Sequence, residues 1–400
     1  MNENGVDFMI ITRPPMGWNS WNTFGEKINE KVVMETADFI AESGLKDSGY
    51  EYVIIDDCWS LRERNEAGEM VPDPEKFPHG MKYVSDYVHS KGLKFGMYSC
   101  AGTLTCARYP GSFDHEFVDA KKFAEWGVDY LKYDYCYHPE TTYGHVLYKR
   151  MGLALANCGR DILFANCSWG AENTKAWIKE TGAHSWRSTG DINDSWASIK
   201  HLAQDQLQVL EYNGNGCYND MDMLVVGMNG EGNVALTGCT TEEYKTHFAL
   251  WALLGSPLII GCDLRKADEA AMAILKNKEL IRIDQDEAYR QPFICNHRRE
   301  CREERKLGEP LYKNYQVDQP VVARFLANGD IAIGLFNFED RKCYPFTNLD
   351  AFGLGECTGK TLELTNVWTG EVTGVKNGLI REELEPHSCV VYRAKVVDMK

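Results

Sequence analysis

The chain has 400 residues, of which 44% are hydrophobic and 26% charged, a composition typical of globular proteins. Its 43 Lys and Arg residues against 59 Asp and Glu residues give a net charge of −16, which argues against nucleic acid or an anionic membrane surface as a partner. No apolar run reaches the ~18 residues that a membrane span needs.

Short apolar runs alternate with amphipathic stretches from residue 16 onwards, and each pair predicts a strand followed by a helix. The predicted pairs are 16–21 with 30–43, 52–56 with 81–90, 94–99 with 117–126, 130–134 with 143–157, 162–168 with 174–181, 185–189 with 196–208, 221–226 with 241–254, and 257–262 with 268–276. Alternating strands and helices indicate a parallel sheet with right-handed crossovers. Eight such pairs predict an α/β fold, a (β/α)8 barrel over residues 10–290.

The pattern changes after the barrel. A charged stretch at 293–314 has no long helical periodicity, and short alternating runs follow, separated by Gly and Asn-Gly turns. These runs lie at 321–326, 331–336, 361–366 and 389–393. They predict a smaller antiparallel β-domain over residues 291–400.

The N-terminus and the cysteines indicate the compartment. The start of the chain lacks a charged segment followed by an apolar one, so we expect no signal peptide and a cytoplasmic protein. The 14 cysteines form no CxxC pair and no Cys/His cluster at zinc spacing, so we expect mostly buried free thiols and no cofactor.

Polar and aromatic side chains follow the predicted strands where each one ends, which is where barrels of this type carry their active sites. They are Trp21, Asp56, Asp57, Tyr98, Lys132, Asp134, Arg187, Asp191 and Asp222. Lys132 and Asp134 are two residues apart on one strand, so both side chains face the barrel interior. We expect the lysine to lower the pKa of Asp134 and keep it ionised, as a nucleophile requires, and Asp191 to keep its proton as a general acid.

Other interpretations of these residues remain open. A single Asp at a strand end is often a helix N-cap, and tryptophans there are often core residues. The acidic pairs at 56–57 and 220–222 could hold a divalent cation. We expect no metal, because Lys132 and Arg187 occupy the same rim and would repel it. A sugar-binding protein without catalysis would keep the same fold.

Eight ordered motifs carry a family resemblance. They are MGWNSWNTF at 16–24, IDDCW at 55–59, GMYS at 96–99, PGSF at 110–113, WGVDYLKYD at 126–134, CSWG at 167–170, WRSTGDINDSW at 186–196 and NDMDML at 219–224. The chain resembles glycoside hydrolase family 27, which contains α-galactosidases and α-N-acetylgalactosaminidases. The resemblance implies a retaining exo-glycosidase with a C-terminal β-sandwich, acting on an oligosaccharide or glycoconjugate, and a possible homodimer.

The resemblance also implies individual roles. Asp134 matches the nucleophile and Asp191 the acid/base, while Asp56 and Asp57 match the pair that holds the 4- and 6-hydroxyls of the sugar. The remaining pocket residues implied are Trp21, Tyr98, Lys132, Arg187 and Asp222, and the implied disulfide joins Cys106 and Cys136. Whether Cys106 and Cys136 are bonded stays an open question at this point, because a reducing cytoplasm favours thiols.

The sugar itself stays open at this point. Where α-galactosidases commonly carry a large polar residue, this chain has Ser168, with Ala171 three residues on. This pair resembles the animal α-N-acetylgalactosaminidases, and small side chains leave room for a 2-acetamido group. Galactose, N-acetylgalactosamine and β-L-arabinopyranose, which lacks the 6-hydroxymethyl group, are therefore all candidates.

Overall fold

The computed structural model describes residues 11–296 and 318–399. The N-terminal residues on which the signal-peptide prediction depends, and most of the charged stretch at 293–314, lie outside these ranges. Within the described residues, no helix has the length and apolar character needed to cross a bilayer.

An eight-stranded parallel sheet forms the first part of the chain, in the order β7-β6-β5-β4-β3-β2-β1-β8. Its strands are β1 (Met16–Asn19), β2 (Tyr52–Ile54), β3 (Lys94–Cys100), β4 (Tyr130–Asp134), β5 (Leu163–Cys167), β6 (Ser185–Arg187), β7 (Tyr218–Asp220) and β8 (Leu258–Ile260). Leu224, just beyond β7, forms a parallel bridge with Ile260 and closes the sheet into a barrel. The predicted α/β barrel is confirmed.

Helices follow the barrel strands, and the longer ones cover the outside of the barrel. They are α1 (Trp21–Phe24), α2 (Glu30–Glu42), α3 (Gly80–Ser90), α4 (Glu116–Trp126), α5 (Gly144–Ala156), α6 (Trp196–Gln206), α7 (Thr241–Leu254), α8 (Glu269–Leu275) and α9 (Lys278–Asp284). Helix α7 begins with a capping box between Thr240 and Glu243 and ends at Gly255 in a left-handed conformation. Close helix packing at Gly152 explains the glycine there, because a Cβ would lie 1.9 Å from the carbonyl oxygen of Thr181.

Two predicted elements are wrong. The seventh strand is Tyr218–Asp220, not 221–226. The apolar character of 221–226 has another cause, since this segment passes through the core where the barrel closes, and Leu224 is fully buried. The helix predicted at 174–181 is instead two short 3₁₀ segments, Ala171–Ala176 and Ile178–Thr181, because Glu172 and Asn173 adopt left-handed backbone angles.

The C-terminal part is an antiparallel β-sandwich, also as predicted. One sheet has the order β14-β13-β16-β11-β10-β9, and the second pairs β12 with β15. The strands are β9 (Phe293–Ile294), β10 (Val321–Phe325), β11 (Ile331–Phe336), β12 (Phe346–Asn348), β13 (Lys360–Asn366), β14 (Val372–Gly374), β15 (Leu379–Arg381) and β16 (Cys389–Asp398).

One buried hydrophobic cluster spans both parts, and a second lies within the sandwich. Val322, Phe336 and Val391 of the sandwich belong to the same buried cluster as the barrel residues. The ring of His387 stacks on Trp196 at the start of α6, with ring centres 4.6 Å apart. The sandwich therefore supports the barrel from the side of helices α6 and α7.

Candidate active site

A cavity of about 210 Å³ opens at the C-terminal ends of the barrel strands. Most of the predicted site residues line it, together with residues that follow β5, β6 and β7. Its lining is Trp21, Asn22, Asp56, Asp57, Tyr98, Cys106, Lys132, Asp134, Cys167, Trp169, Arg187, Asp191, Ile192, Asn193, Asp222, Met223 and Val234.

Asp134 lies at the end of β4 and is 5% exposed. Its Oδ2 accepts a hydrogen bond from the Tyr98 hydroxyl at 3.1 Å, and its Oδ1 accepts one from the backbone N–H of Tyr135 at 2.9 Å. Both carboxylate oxygens are thus oriented by groups on the neighbouring backbone and strand. The side chain is fixed in place before any substrate arrives.

Lys132 does not contact Asp134 as expected. Its Nζ lies 2.8 Å from Oδ2 of Asp56, which follows β2, two strands away in the barrel. Burial raises the pKa of Asp134 to about 6, and the positive charge of Lys132 only partly offsets this increase. Lys132 does act to lower this pKa, as predicted, but the net shift is upward, because the loss of water outweighs a lysine that is paired with another carboxylate.

Arg187 connects two carboxylates on the other side of the cavity. Its Nη2 donates to Oδ1 of Asp191 at 2.9 Å, and its Nη1 lies 3.1 Å from Oδ1 of Asp222. Asp191 sits on the rim with a 73% exposed side chain. Partial loss of water at the cavity mouth acts to raise the pKa of Asp191, but the charges of Arg187 and Lys132, with the hydrogen bonds that the carboxylate accepts, outweigh this effect and lower the pKa. We expected the opposite shift from an ionised Asp134 facing it.

The acidic pair after β2 forms a polar wall. Asp56 and Asp57 are each 2% exposed. Asp56 accepts a hydrogen bond from the Asn19 amide at 2.7 Å in addition to its Lys132 contact. Asp57 accepts hydrogen bonds from the backbone N–H groups of Cys58 and Ala107 at 2.7 and 3.0 Å. Several partners therefore hold each carboxylate at the cavity wall.

Three aromatic side chains complete the walls. Trp21 begins α1, Tyr98 lies on β3, and Trp169 follows β5. Trp169 adopts a left-handed backbone conformation with φ of 53°, which is uncommon for a large side chain. Its side chain also hydrogen-bonds to Asp191 and contributes to the lowered pKa of that carboxyl.

The structure does not bring Ser168 and Ala171 to the cavity lining. Side chains alternate along β5, so Cys167 faces the barrel interior and Ser168 points away from it. Ser168 is 1% exposed, and its hydroxyl forms a 2.7 Å hydrogen bond with the hydroxyl of Thr174. Trp169 occupies the cavity wall at this point, and the idea that the two small residues leave room for a 2-acetamido group stays a prediction.

Cys106 and Cys136 form a disulfide between the loops after β3 and β4. Their sulfur atoms and a carboxylate oxygen of Asp134 all lie within 4.8 Å of one another. The hydroxyl of Tyr98 also contacts the Cys106 sulfur at 3.5 Å. The bond therefore supports the wall nearest to Asp134.

Sequence reasoning missed several lining residues. Ile192 and Asn193 directly follow Asp191, so the strand-end rule could have included them. Val234 comes from the loop before α7, where no motif marks it, and backbone bonds hold that loop against Asn22 and Asp194. Asn19 orients Asp56 from β1 and is visible in the sequence only as part of the first motif.

The acidic pairs proposed as metal ligands already have cationic neighbours. Lys132 contacts the pair at 56–57 at 2.8 Å, and Arg187 contacts the pair at 220–222 at 3.1 Å. A divalent cation there would lie against a buried positive charge, which is electrostatically unfavourable. The donor sets fit hydroxyl groups better than a metal.

A (β/α)8 barrel with carboxyl groups, cations and aromatic rings around a cavity at its C-terminal strand ends is the architecture of a barrel glycosidase. Residues 13–286 match the family model described as alpha galactosidase A, and residues 316–394 match the alpha galactosidase C-terminal beta sandwich domain. The chain belongs to glycoside hydrolase family 27 and is a glycosidase. The family expected from the motifs is confirmed.

Relatives in plants and fungi support this assignment. The chain is 42% identical to an alpha-galactosidase of Cyamopsis tetragonoloba, covering 98% of this chain and 87% of that protein. It is 49% identical to alpha-galactosidase 2 of Arabidopsis thaliana, covering 96% and 89%. The crystal structure of alpha-galactosidase I from Mortierella vinacea superposes with a TM-score of 0.86 at 31% identity, covering 100% and 99%.

Proposed function

We propose that the protein is a retaining exo-α-galactosidase that releases terminal α-linked galactose from oligosaccharides. The observation that carries this proposal is the arrangement of Asp134 and Asp191 in one cavity: the first is buried and fixed by two hydrogen bonds, and the second lies on the rim where a leaving group departs. Among family members, the curated relatives named above are alpha-galactosidases.

The reaction takes two displacements. Asp134 attacks the anomeric carbon of galactose while Asp191 donates its proton to the glycosidic oxygen, so the bond to the leaving sugar breaks and a galactosyl ester of Asp134 forms. Asp191, now ionised, takes a proton from water, and the resulting hydroxide equivalent attacks the same carbon. Galactose leaves with its α configuration, and Asp134 is regenerated.

The other lining residues bind the sugar in this proposal. Asp56 and Asp57 accept hydrogen bonds from hydroxyl groups at one end of the pocket, and Lys132 donates there. Arg187 and Asp222 serve the opposite side, while Trp21 and Trp169 offer apolar faces to the C–H groups of the ring. Galactose is the sugar proposed, because the relatives named above at 42% and 49% identity are alpha-galactosidases.

A trapping experiment tests the mechanism. A slow fluorinated α-galactosyl substrate should add one sugar mass to the peptide that contains Asp134, and Asp134→Asn should abolish both labelling and turnover while still binding galactose. Asp205→Asn, an exposed aspartate on α6, is the matched control and should behave like the wild type. Full turnover by Asp134→Asn would refute the assignment of the nucleophile.

The sugar is tested separately by comparing nitrophenyl glycosides of α-galactose, α-N-acetylgalactosamine and β-L-arabinopyranose. We expect the galactoside to have the highest kcat/KM. Faster cleavage of the acetamido sugar would show that the pocket near Trp169 has more room than the arrangement of Ser168 indicates.

A further inference from the structure

Two large residues on the disulfide-linked loops have strained backbones. Arg108 adopts φ of 65° and Tyr137 adopts φ of 47°, both in the left-handed region. Such conformations persist where the surrounding structure imposes them, and they gather at functional sites. Trp169 and Asp222 share this conformation at the same end of the barrel, and both line the cavity.

Arg108 and Tyr137 hold each other in place. Nε of Arg108 donates a hydrogen bond to the Tyr137 hydroxyl at 3.0 Å, and its guanidinium carbon lies 5.9 Å from the centre of the tyrosine ring. Tyr137 is nevertheless 47% exposed. An exposed aromatic ring that is tethered at its hydroxyl presents an apolar face to solvent with little freedom to move away.

The backbone beneath this ring is rigid. The backbone N–H of Thr103 donates to the carbonyl oxygen of Tyr137 at 3.2 Å. The loops approach so closely that a Cβ on Gly102 would lie 2.0 Å from the carbonyl oxygen of Cys136. The position of the ring is therefore determined by both loops together.

The position of the Tyr137 ring relative to the proposed nucleophile is also fixed. Tyr137 directly follows Cys136, whose sulfur lies within 4.8 Å of a carboxylate oxygen of Asp134. Arg108 lies two residues after Cys106, which lines the cavity. The pair thus stands just outside the pocket, next to the wall nearest to the nucleophile.

We propose that Tyr137 and Arg108 form a subsite for the sugar linked to the departing galactose, with the ring packing against its C–H face and the guanidinium donating to its hydroxyls. This proposal rests on the proposed galactosidase function and assigns it a leaving-group preference. The occupant is a neutral hexose, because an aromatic face packs on C–H groups and a guanidinium donates to hydroxyl oxygens.

The test compares two substrates that differ in the leaving group. α-Galactosyl fluoride releases an ion too small to contact the subsite, whereas an α-galactosyl-(1→6)-glucose disaccharide places glucose there. Tyr137→Ala should lower kcat/KM for the disaccharide about fivefold, mainly through KM, and change that for the fluoride by less than about twofold. Tyr137→Phe keeps the ring and should retain most of the disaccharide activity.

Tyr143→Ala is the matched control, because Tyr143 is a 70% exposed tyrosine that stacks on His145 instead of Arg108. It should leave both substrates unaffected. If Tyr137→Ala lost activity equally on both substrates, or on neither, the proposed subsite would be overturned. Turnover of the fluoride by the wild type would in that case still support the proposed galactosidase activity. A wild-type protein inactive on both substrates would overturn the galactosidase itself.

Discussion

Arg187 donates a hydrogen bond to Asp191 across 2.9 Å, and this contact helps to hold the pKa of Asp191 below its ordinary value. The charge of Arg187 helps to lower the pKa of Asp191 against the effect of burial, whereas burial raises that of Asp134 to about 6. In the free enzyme, a pair carrying one proton therefore holds it mainly on Asp134. In the proposed mechanism, catalysis then proceeds through the minor arrangement, with the proton on Asp191.

The first prediction concerns the pH dependence of kcat/KM. The pair is competent while it holds one proton, so activity on a galactoside with a poor leaving group should fall on the alkaline side with a pKa of about 6. Above that pH the pair has lost both protons, and no acid remains to protonate the glycosidic oxygen. The initial rate at low substrate concentration measures this limb.

A dinitrophenyl galactoside gives the control for this limb, since its leaving group departs without a proton. We expect the alkaline limb to vanish with that substrate. A profile that is identical for both leaving groups would contradict the assignment of the limb to loss of the catalytic acid.

The second prediction concerns the pH dependence of activity in Asp191→Ala. In Asp191→Ala, Asp134 is the remaining carboxyl of the pair and must be ionised to attack. Activity on the dinitrophenyl galactoside should therefore rise as pH increases through the pKa of Asp134, the opposite of the wild-type trend on poor leaving groups. Exogenous azide should accelerate the variant by replacing water, and Asp205→Ala should keep the wild-type profile.

How far the sequence predicted these features depends on the type of contact. Strand β2 and its neighbours were predictable because buried parallel strands are continuous apolar runs. β7 was not, because Tyr218–Asp220 contains two polar residues, while the apolar segment beside it lies in the core without forming a strand. Apolar character indicates burial and does not by itself distinguish a strand from a buried loop.

The candidate site also has features that the sequence predicts and features that it does not. Strand ends correctly indicated which carboxylates share the cavity, because period-2 alternation decides which side chains face inward. The partner of a long side chain does not follow from this rule. Lys132 reaches Asp56 on a different part of the barrel rather than Asp134 on its own strand, and only the three-dimensional arrangement shows it. The direction of the pKa shift of Asp191 depends on such a contact, the one with Arg187.

The third prediction concerns the stability of Asp134→Asn. The folded-state pKa of Asp134 lies above its unfolded value of 3.8, so folding favours the protonated form. The wild type therefore loses stability as pH rises from the unfolded to the folded pKa, and the neutral variant does not. At neutral pH the variant should be more stable by up to about 3 kcal/mol, with the difference vanishing in acid. Urea unfolding of both proteins at neutral pH and in acid measures the difference in the free energy of unfolding. A variant less stable than the wild type at neutral pH would contradict the prediction.

The fourth prediction concerns the Cys106–Cys136 disulfide. The bond ties the two loops beside Asp134, and Cys106 is accessible from the cavity, so a dithiol reductant should reach it. Reduction frees both loops, and we expect kcat/KM to fall about tenfold because small displacements near reacting groups are costly. Closing a loop over a sequence separation of 30 should contribute about 4 kcal/mol to the free energy of unfolding, which reduction removes. Reoxidation should restore both quantities.

Two variants serve as controls. The double variant Cys106→Ser with Cys136→Ser should have low activity from the start and lose none on reduction. Cys357 is an exposed free cysteine in the sandwich, so Cys357→Ser should respond to reduction as the wild type does. If the double variant retained full activity, the disulfide would not be what positions the wall beside Asp134.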